Sequence, residues 1–368
     1  MRISNNFKST FGSIFIFGTW PPISMAYISI GFLIGMLKAK FKYVKKIHFI
    51  SVVFMSIIAL TCFVTSYSLT GNGDYRDLKF VFYILALTIG FSVKVENVPL
   101  LFRWVFFVYC ILLLMQNYFF GWGSESRENG LFYLPDQNNS MIIISFLYPA
   151  VVFSYSAFNK VLISFFAIMV MYIIGSRAGM GIIFLSTMLS IFTQLKFKNT
   201  LLVAAIFLLP IVSLISNDVL DFSSFYEFNN YSDQVRLVLW SVGLENFLSS
   251  SNYFIGLGYD FPTIYADFLK SEMKHVHNIY IQVLLTSGII GFISIVFFFI
   301  SWLIFSYKQG NKILFLQVSI VMILGCIETL YSDSRVFSLI CFCCGLSYVN
   351  YKCISEKQNR IFSCREAL

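Results

Sequence analysis

The sequence predicts an all-α polytopic membrane protein with eleven or twelve transmembrane helices and one large external loop. Three observations predict it. Hydrophobic residues fill 58% of the 368 positions, charged residues only 12%, and mean hydropathy is +0.78. A soluble domain carries roughly 25% charged residues, so this chain lacks the polar surface to cover a water-facing globule. Apolar blocks approaching the roughly 20 residues that cross a bilayer recur along the chain, and Lys and Arg concentrate in alternate loops. Soluble enzymes, disordered regulators and disulfide-built secreted scaffolds are excluded as classes.

The elements follow in order. Residues 1–216 hold the N-terminal spans. Block 10–37 is interrupted by Pro21-Pro22, and proline removes a backbone donor and kinks or ends a helix. It is one long broken span or a tight helical hairpin, hence the two counts. Further blocks lie at 47–69, 79–93, 99–120, 139–158, 161–175, 178–195 and 200–216. Residues 217–278 form an external loop of 62 residues, too long for a plain connection. Its amphipathic stretch from Ser232 to Ser249, with Trp240, predicts an ordered element packed on the membrane domain. Spans at 279–306, 313–330 and 336–350 occupy 279–350, and 351–368 is a cytoplasmic tail. The N-terminus lacks a small-residue cleavage pattern and is expected to be retained.

Orientation comes from the basic residues. One set of loops and the tail holds Lys38, Lys40, Lys42, Lys45, Lys46, Lys94, Lys160, Lys196, Lys198, Lys308, Lys312, Lys352, Lys357, Arg360 and Arg365. The alternate loops hold only Arg76, Arg127, Arg177, Arg236, Lys270, Lys274 and Arg335. The first set is therefore expected in the cytoplasm. The net charge of +8 is then mostly topological, and no nucleic-acid partner is expected.

Several chemistries lack their motifs. There is no G-x-x-x-x-G-K-[ST], G-x-G-x-x-G, D-x-D or H-E-x-x-H. The eight cysteines fall in spans or the tail, away from an oxidising exterior, which argues against disulfides. Cys341 and Cys344 make C-x-x-C inside an apolar helix, a poor metal or redox site. Intramembrane charges mark ion pathways, and they are scarce: Arg103 lies near a span's cytoplasmic end, Glu328 near the outer end of another. His48 reads as a solvated flank of the cytoplasmic lysines.

Four outer-face constellations remain. Ser176-Arg177-Ala178-Gly179 reads either as a packed turn with a head-group arginine or as an anion clamp, since guanidinium offers a planar fork matched to phosphate. Arg236 and Trp240 share a helix face at a spacing of four. They form an interfacial pair, or a second phosphate ligand beside a surface that stacks on a sugar. Downstream, Gly256-Leu257-Gly258-Tyr259 is a tight backbone element. His275-Val276-His277-Asn278 precedes a span; its His277 is an interfacial residue or a general base. No Cys, Asp or Glu at suitable spacing completes a metal set. Arg127-Glu128-Asn129-Gly130, running to Asn138, Asn139 and Ser140, is a capped polar loop or a hydroxyl-recognising mouth. Together, two arginines, a histidine and an Asn-rich loop beside lipid suit a lipid-linked phosphate ester processed on the external leaflet.

The order S-R-A-G (176–179), R-x-x-x-W before G-x-G (Arg236 to Gly258), and His277-Asn278 followed by G-x-x-G (Gly288 to Gly291) resembles the O-antigen polymerase and ligase superfamily of bacterial inner membranes. Two positions depart from its pattern: Thr286, where many members carry Glu, and Gln137-Asn138, where Pro-Asn is usual. The resemblance implies a GT-C-like, metal-independent glycosyltransferase without a cofactor, its active site facing the periplasm. It implies an undecaprenyl-pyrophosphate-linked oligosaccharide donor, and the bilayer and a chain-length regulator protein as partners. Arg177 and Arg236 would stabilise the leaving pyrophosphate and His277 would activate or orient the acceptor hydroxyl. Asn278, Trp240, Ser176, Arg127, Asn138 and Tyr280 would bind substrate. The aromatic, Lys- and Asn-rich composition favours a polymerase; the alternatives are a ligase acting on lipid A–core and a lipid-linked oligosaccharide translocase.

Overall fold

The computed structural model describes residues 7–12, 14, 46–70, 79–95, 97–120, 137–192, 231–258, 276–328, 330 and 335–349. Among the described residues there are helices and no strand. After a helical turn at 7–12 come α1 (Lys46–Thr70), α2 (Lys79–Ser92), α3 (Val98–Phe120), α4 (Gln137–Val152), α5 (Ala157–Ile174), α6 (Arg177–Phe192), α7 (Tyr231–Ser249), α8 (Ile279–Lys308), α9 (Lys312–Gly325) and α10 (Arg335–Val349). Helices α1, α3 and α8 are long and apolar enough to cross a membrane by themselves. The chain is an all-α, multi-pass membrane protein. The span expected at 200–216, and most of that at 10–37, lies outside the described residues.

Three expected boundaries move. The block at 139–158 is α4 as far as Val152, then a turn, then the start of α5. Phe153 N–H donates to Pro149 O and Ser154 N–H to Val151 O, tightening the last turn. Ser156 is extended (φ −66°, ψ 161°) and restarts the helix as its N-cap. Hydropathy alone misses this because Phe153 and Tyr155 carry apolar character straight through the turn. The block at 313–330 is helical only to Gly325, after which the chain turns. The block at 279–306 is two helices end to end, broken at Gly288 (φ 65°, ψ −165°). The 20 residues of 289–308 span about 30 Å at 1.5 Å each, a full hydrocarbon thickness. Residues 279–287 are a separate short helix that leads into this spanning half.

Lipid supplies no hydrophobic drive between helices, so close packing and buried hydrogen bonds hold the bundle. Helices α1 and α8 run antiparallel along each other: Trp302 Nε1–H donates to Ser51 Oγ (3.0 Å) near one end and Cys62 Sγ lies 2.7 Å from Ser287 Oγ towards the other. Gly90 and Gly345 bring α2 and α10 into backbone contact. A Cβ on Gly345 would sit 2.7 Å from Leu87 O, and one on Gly90 would collide with Phe342 O. Phe91, Trp302 and Tyr348 pack their rings together and tie α2, α8 and α10. Gln317 of α9 donates to Phe146 O of α4 (3.0 Å). Tyr148, Ser164 and Thr187 form a closed ring of hydroxyl contacts among α4, α5 and α6 (2.6–2.8 Å).

His48, expected as a solvated flank, and Lys160, counted with the cytoplasmic loops, are instead built into the bundle. His48 is buried; its Nε2 contacts Thr88 Oγ1 (2.9 Å) and its ring packs on Phe91. It sits in the first turn of α1 on the face that meets α2, which the adjacent lysines conceal in sequence. Lys160 is fully buried in the first turn of α5. Its Nζ donates to Ser190 Oγ (2.6 Å) and Ser190 O (3.2 Å), placing a cation by the C-terminal turn of α6. That position opposes the negative end of the helix dipole.

Candidate active site

The starts of α4, α6 and α8 and the end of α9 gather at one end of the bundle. Gly179, at the start of α6, packs on Met141, at the start of α4. Helix α9 packs against α4 with Gln317 level with Phe146. Its last turn therefore rises to the level where α4 begins. Helix α7 packs on the first half of α8, burying Leu239, Phe247, Val276 and Leu285 in a small cluster of their own.

His277 lies at this end, with the unusual φ of 52°. A left-handed conformation costs a non-glycine side chain energy and persists only where its surroundings over-determine it. Here they do. Trp240 Nε1–H of α7 donates to Val276 O (2.8 Å), and Val276 N–H donates to Gln282 Oε1 (3.0 Å). Asn278 is the N-cap of α8: its Oδ1 accepts from Tyr280 N–H (3.0 Å) and Ile281 N–H (3.1 Å). Asn278 Nδ2–H also donates to Cys326 O (2.9 Å) beyond α9. The His277 side chain is left 35% exposed, with Nδ1 3.1 Å from Oε2 of Glu328, whose side chain is only 9% exposed. A histidine held by a carboxylate has a defined tautomer and ring orientation, which base chemistry needs.

The other expected residues are placed as follows. Ser176 is buried as the N-cap of α6, its Oγ accepting from Gly179 N–H (3.1 Å). Gly179 leaves room for Met171 and Met141, the packing expected of it. Arg177 is the first residue of α6 and is exposed. A helix start carries partial positive charge, and the guanidinium adds a full one at the same end of α6. Asn138 is half-buried in the first turn of α4, beside buried Asn139 and Ser140. Tyr280 is half-buried, its O–H donating to Met322 O (3.1 Å) and strutting α8 to α9. Trp240 and Asn278 likewise use their N–H groups to hold the His277 backbone. Arg236 lies in α7, with its side chain outside what the structure describes; Arg127 and His275 lie outside the described residues altogether.

Sequence reasoning missed Glu328 as the partner of His277. The two are 51 positions apart and no local spacing links them. The one available signal was a carboxylate in an apolar stretch. Gln282 also carried no signal. Cys326, expected within a span and away from the exterior, is exposed beyond the last turn of α9.

Residues 162–296 match the family described as O-Antigen ligase. The match contains Ser176, Arg177, Arg236, Trp240, His277, Asn278 and Tyr280, and ends before Glu328. No curated protein matches the chain.

Proposed function

We propose that this chain, whose residues 162–296 match the O-Antigen ligase family, is a glycosyltransferase that joins undecaprenyl-pyrophosphate-linked repeat units into polysaccharide at the periplasmic face. The observation that carries the reading is the His277–Glu328 pair, at the same end of the bundle as Arg177. With the Nδ1 proton donated to Glu328, Nε2 of His277 is the lone-pair nitrogen and takes the proton of an acceptor sugar hydroxyl. That oxygen bonds to the donor's anomeric carbon. The bond from this carbon to the pyrophosphate oxygen breaks, its electron pair leaving with undecaprenyl pyrophosphate. Arg177 and Arg236 neutralise the charge that grows on the leaving group, where fixed donors act most strongly. The chemistry asks for no divalent metal, and chain growth by the reconstituted protein is expected to survive EDTA.

Ligation of finished polymer to lipid A–core is the second reading, favoured by the matching family's name, O-Antigen ligase. Both share the donor chemistry and differ in the acceptor. The lipopolysaccharide of a deletion strain separates them. Core bearing a single repeat means polymerase; bare core with accumulated lipid-linked polymer means ligase. Purified protein that only exchanges lipid-linked repeats between leaflets, with no new glycosidic bond, would overturn both.

A further inference from the structure

The break in α8 is filled by another part of the chain. Residues 253–258, following α7, enter it as a clip. Ile289 N–H donates to Tyr253 O (2.9 Å) and Ile290 N–H to Phe254 O (3.2 Å), satisfying the start of the spanning half. Leu257 N–H donates to Leu285 O (2.6 Å), satisfying the end of the short half. The two backbones touch through glycines. A Cβ on Gly256 (φ 83°) would meet Gly288 N at 2.5 Å and Leu285 O at 2.8 Å; a Cβ on Gly288 would collide with the Phe254 carbonyl. Helix α1 grips the same place. Thr65 Oγ1–H is shared between Ile255 O (2.7 Å) and Thr61 O of its own helix (2.8 Å), Cys62 Sγ meets Ser287 Oγ (2.7 Å), and Gly258 packs on Ser66. Buried backbone groups freed by a broken membrane helix must find partners; here the clip serves Ile289 N–H, Ile290 N–H and Leu285 O, while α1 holds the clip at Ile255 and the break at Ser287. The short half, 279–287, is in turn joined to α7 through Leu285 and Val276 and carries His277 at its head.

We propose that this clip is a rigid lock: Gly256, Gly288 and Thr65 are positioning residues that hold the His277-bearing half-helix at one fixed attitude to the membrane span throughout turnover. The proposal rests on the reading of His277 as the base. A hinge would leave amides and carbonyls to solvent or to rotating partners. Here each freed group named above is bonded directly, through two glycines in conformations that side chains rarely adopt.

The test uses the full chain in lipid nanodiscs. Ser287→Cys places a second thiol against Cys62. Air oxidation with copper phenanthroline should join them, and the cross-linked protein should turn over lipid-linked donor within about twofold of its reduced form. Cross-linked protein that is inactive until reduced would show that the break moves, and would overturn the proposal. Gly288→Ala should lower kcat at least tenfold on this logic, with KM within about twofold, because binding groups remain while the base is displaced. A proportional loss of active protein with unchanged kcat per folded molecule would assign Gly288 to stability alone and also overturn it. A readout independent of activity is the rate of His277 carbethoxylation by diethyl pyrocarbonate, located by peptide mass mapping against His48 and His275. It should be unchanged in the cross-linked protein and altered at least threefold in Gly288→Ala; equal rates in all forms would overturn the lock. If the wild type turns over no donor, the glycosyltransferase reading fails, while the modification rates still decide whether His277 depends on the clip.

Discussion

At the residue scale, the candidate chemistry separates into groups that act and groups that hold. His277 is half-exposed and paired with buried Glu328, whereas Trp240, Asn278 and Gln282 spend their polar atoms on the backbone around it. His277→Ala is expected to abolish product formation while leaving the protein in the membrane. Glu328→Gln keeps the shape but loses the charge that fixes the tautomer, and should cost roughly 10–100-fold in rate, by analogy with the loss of a carboxylate partner from a metal-bound histidine. Initial rates at matched protein levels check both; Glu328→Gln at wild-type rate would remove the pair from the mechanism. Arg177→Ala is expected to cost on the order of a hundredfold or more, the effect of removing a donor from a developing charge. Arg177→Lys should recover only part, because a point charge replaces a planar fork. Full activity in the Lys variant would instead mark Arg177 as a head-group anchor, and the same pair of substitutions applies to Arg236.

At the element scale, close backbone contacts carry the architecture. Helices α2 and α10 meet at Gly90 and Gly345 with no space for a side chain. Gly345→Leu should force them apart at a cost of about 1–3 kcal/mol, the usual penalty of overpacking. It should be seen as a lowered melting temperature in detergent. Gly181 is the control: a Cβ there meets nothing within 4 Å, and helix propensity favours alanine. Gly181→Ala is therefore expected to be neutral or slightly stabilising. A melting temperature unchanged by Gly345→Leu would mean that the crossing is not rigid. The same element logic explains Lys160. It counts with the loops in a charge tally, yet its ammonium is fully buried against Ser190.

At the scale of the whole molecule, the His277 end and the Lys46 end of the bundle are opposite, since α1 and α8 pack antiparallel along their lengths. The excess of Lys and Arg in the sequence at the Lys46 end and in the tail leads us to expect that end in the cytoplasm. A reporter fused after Asn230 is expected to be extracytoplasmic, and one fused after Lys357 cytoplasmic. Both on one side would break the span count and with it the external placement of the site.

How much of this was legible in the sequence differs by kind. Composition and apolar blocks determine the class and nearly every described helix, because a bilayer imposes length and hydropathy locally on each segment. The stretch from Ser232 to Ser249 is expected from the sequence to be an ordered element and is helical as α7, and short motifs single out Arg177, Arg236 and His277 as candidates. What only the tertiary structure decided is how distant segments meet. Glu328 reaches His277 across 51 positions, and the clip at 253–258 enters the break at Gly288. Both G-x-G and G-x-x-G are visible in the chain, but nothing local says that they are two halves of one contact. Side-chain pairing and backbone approach depend on which helices pack together. Hydropathy, which is alike for all of them, cannot encode that choice.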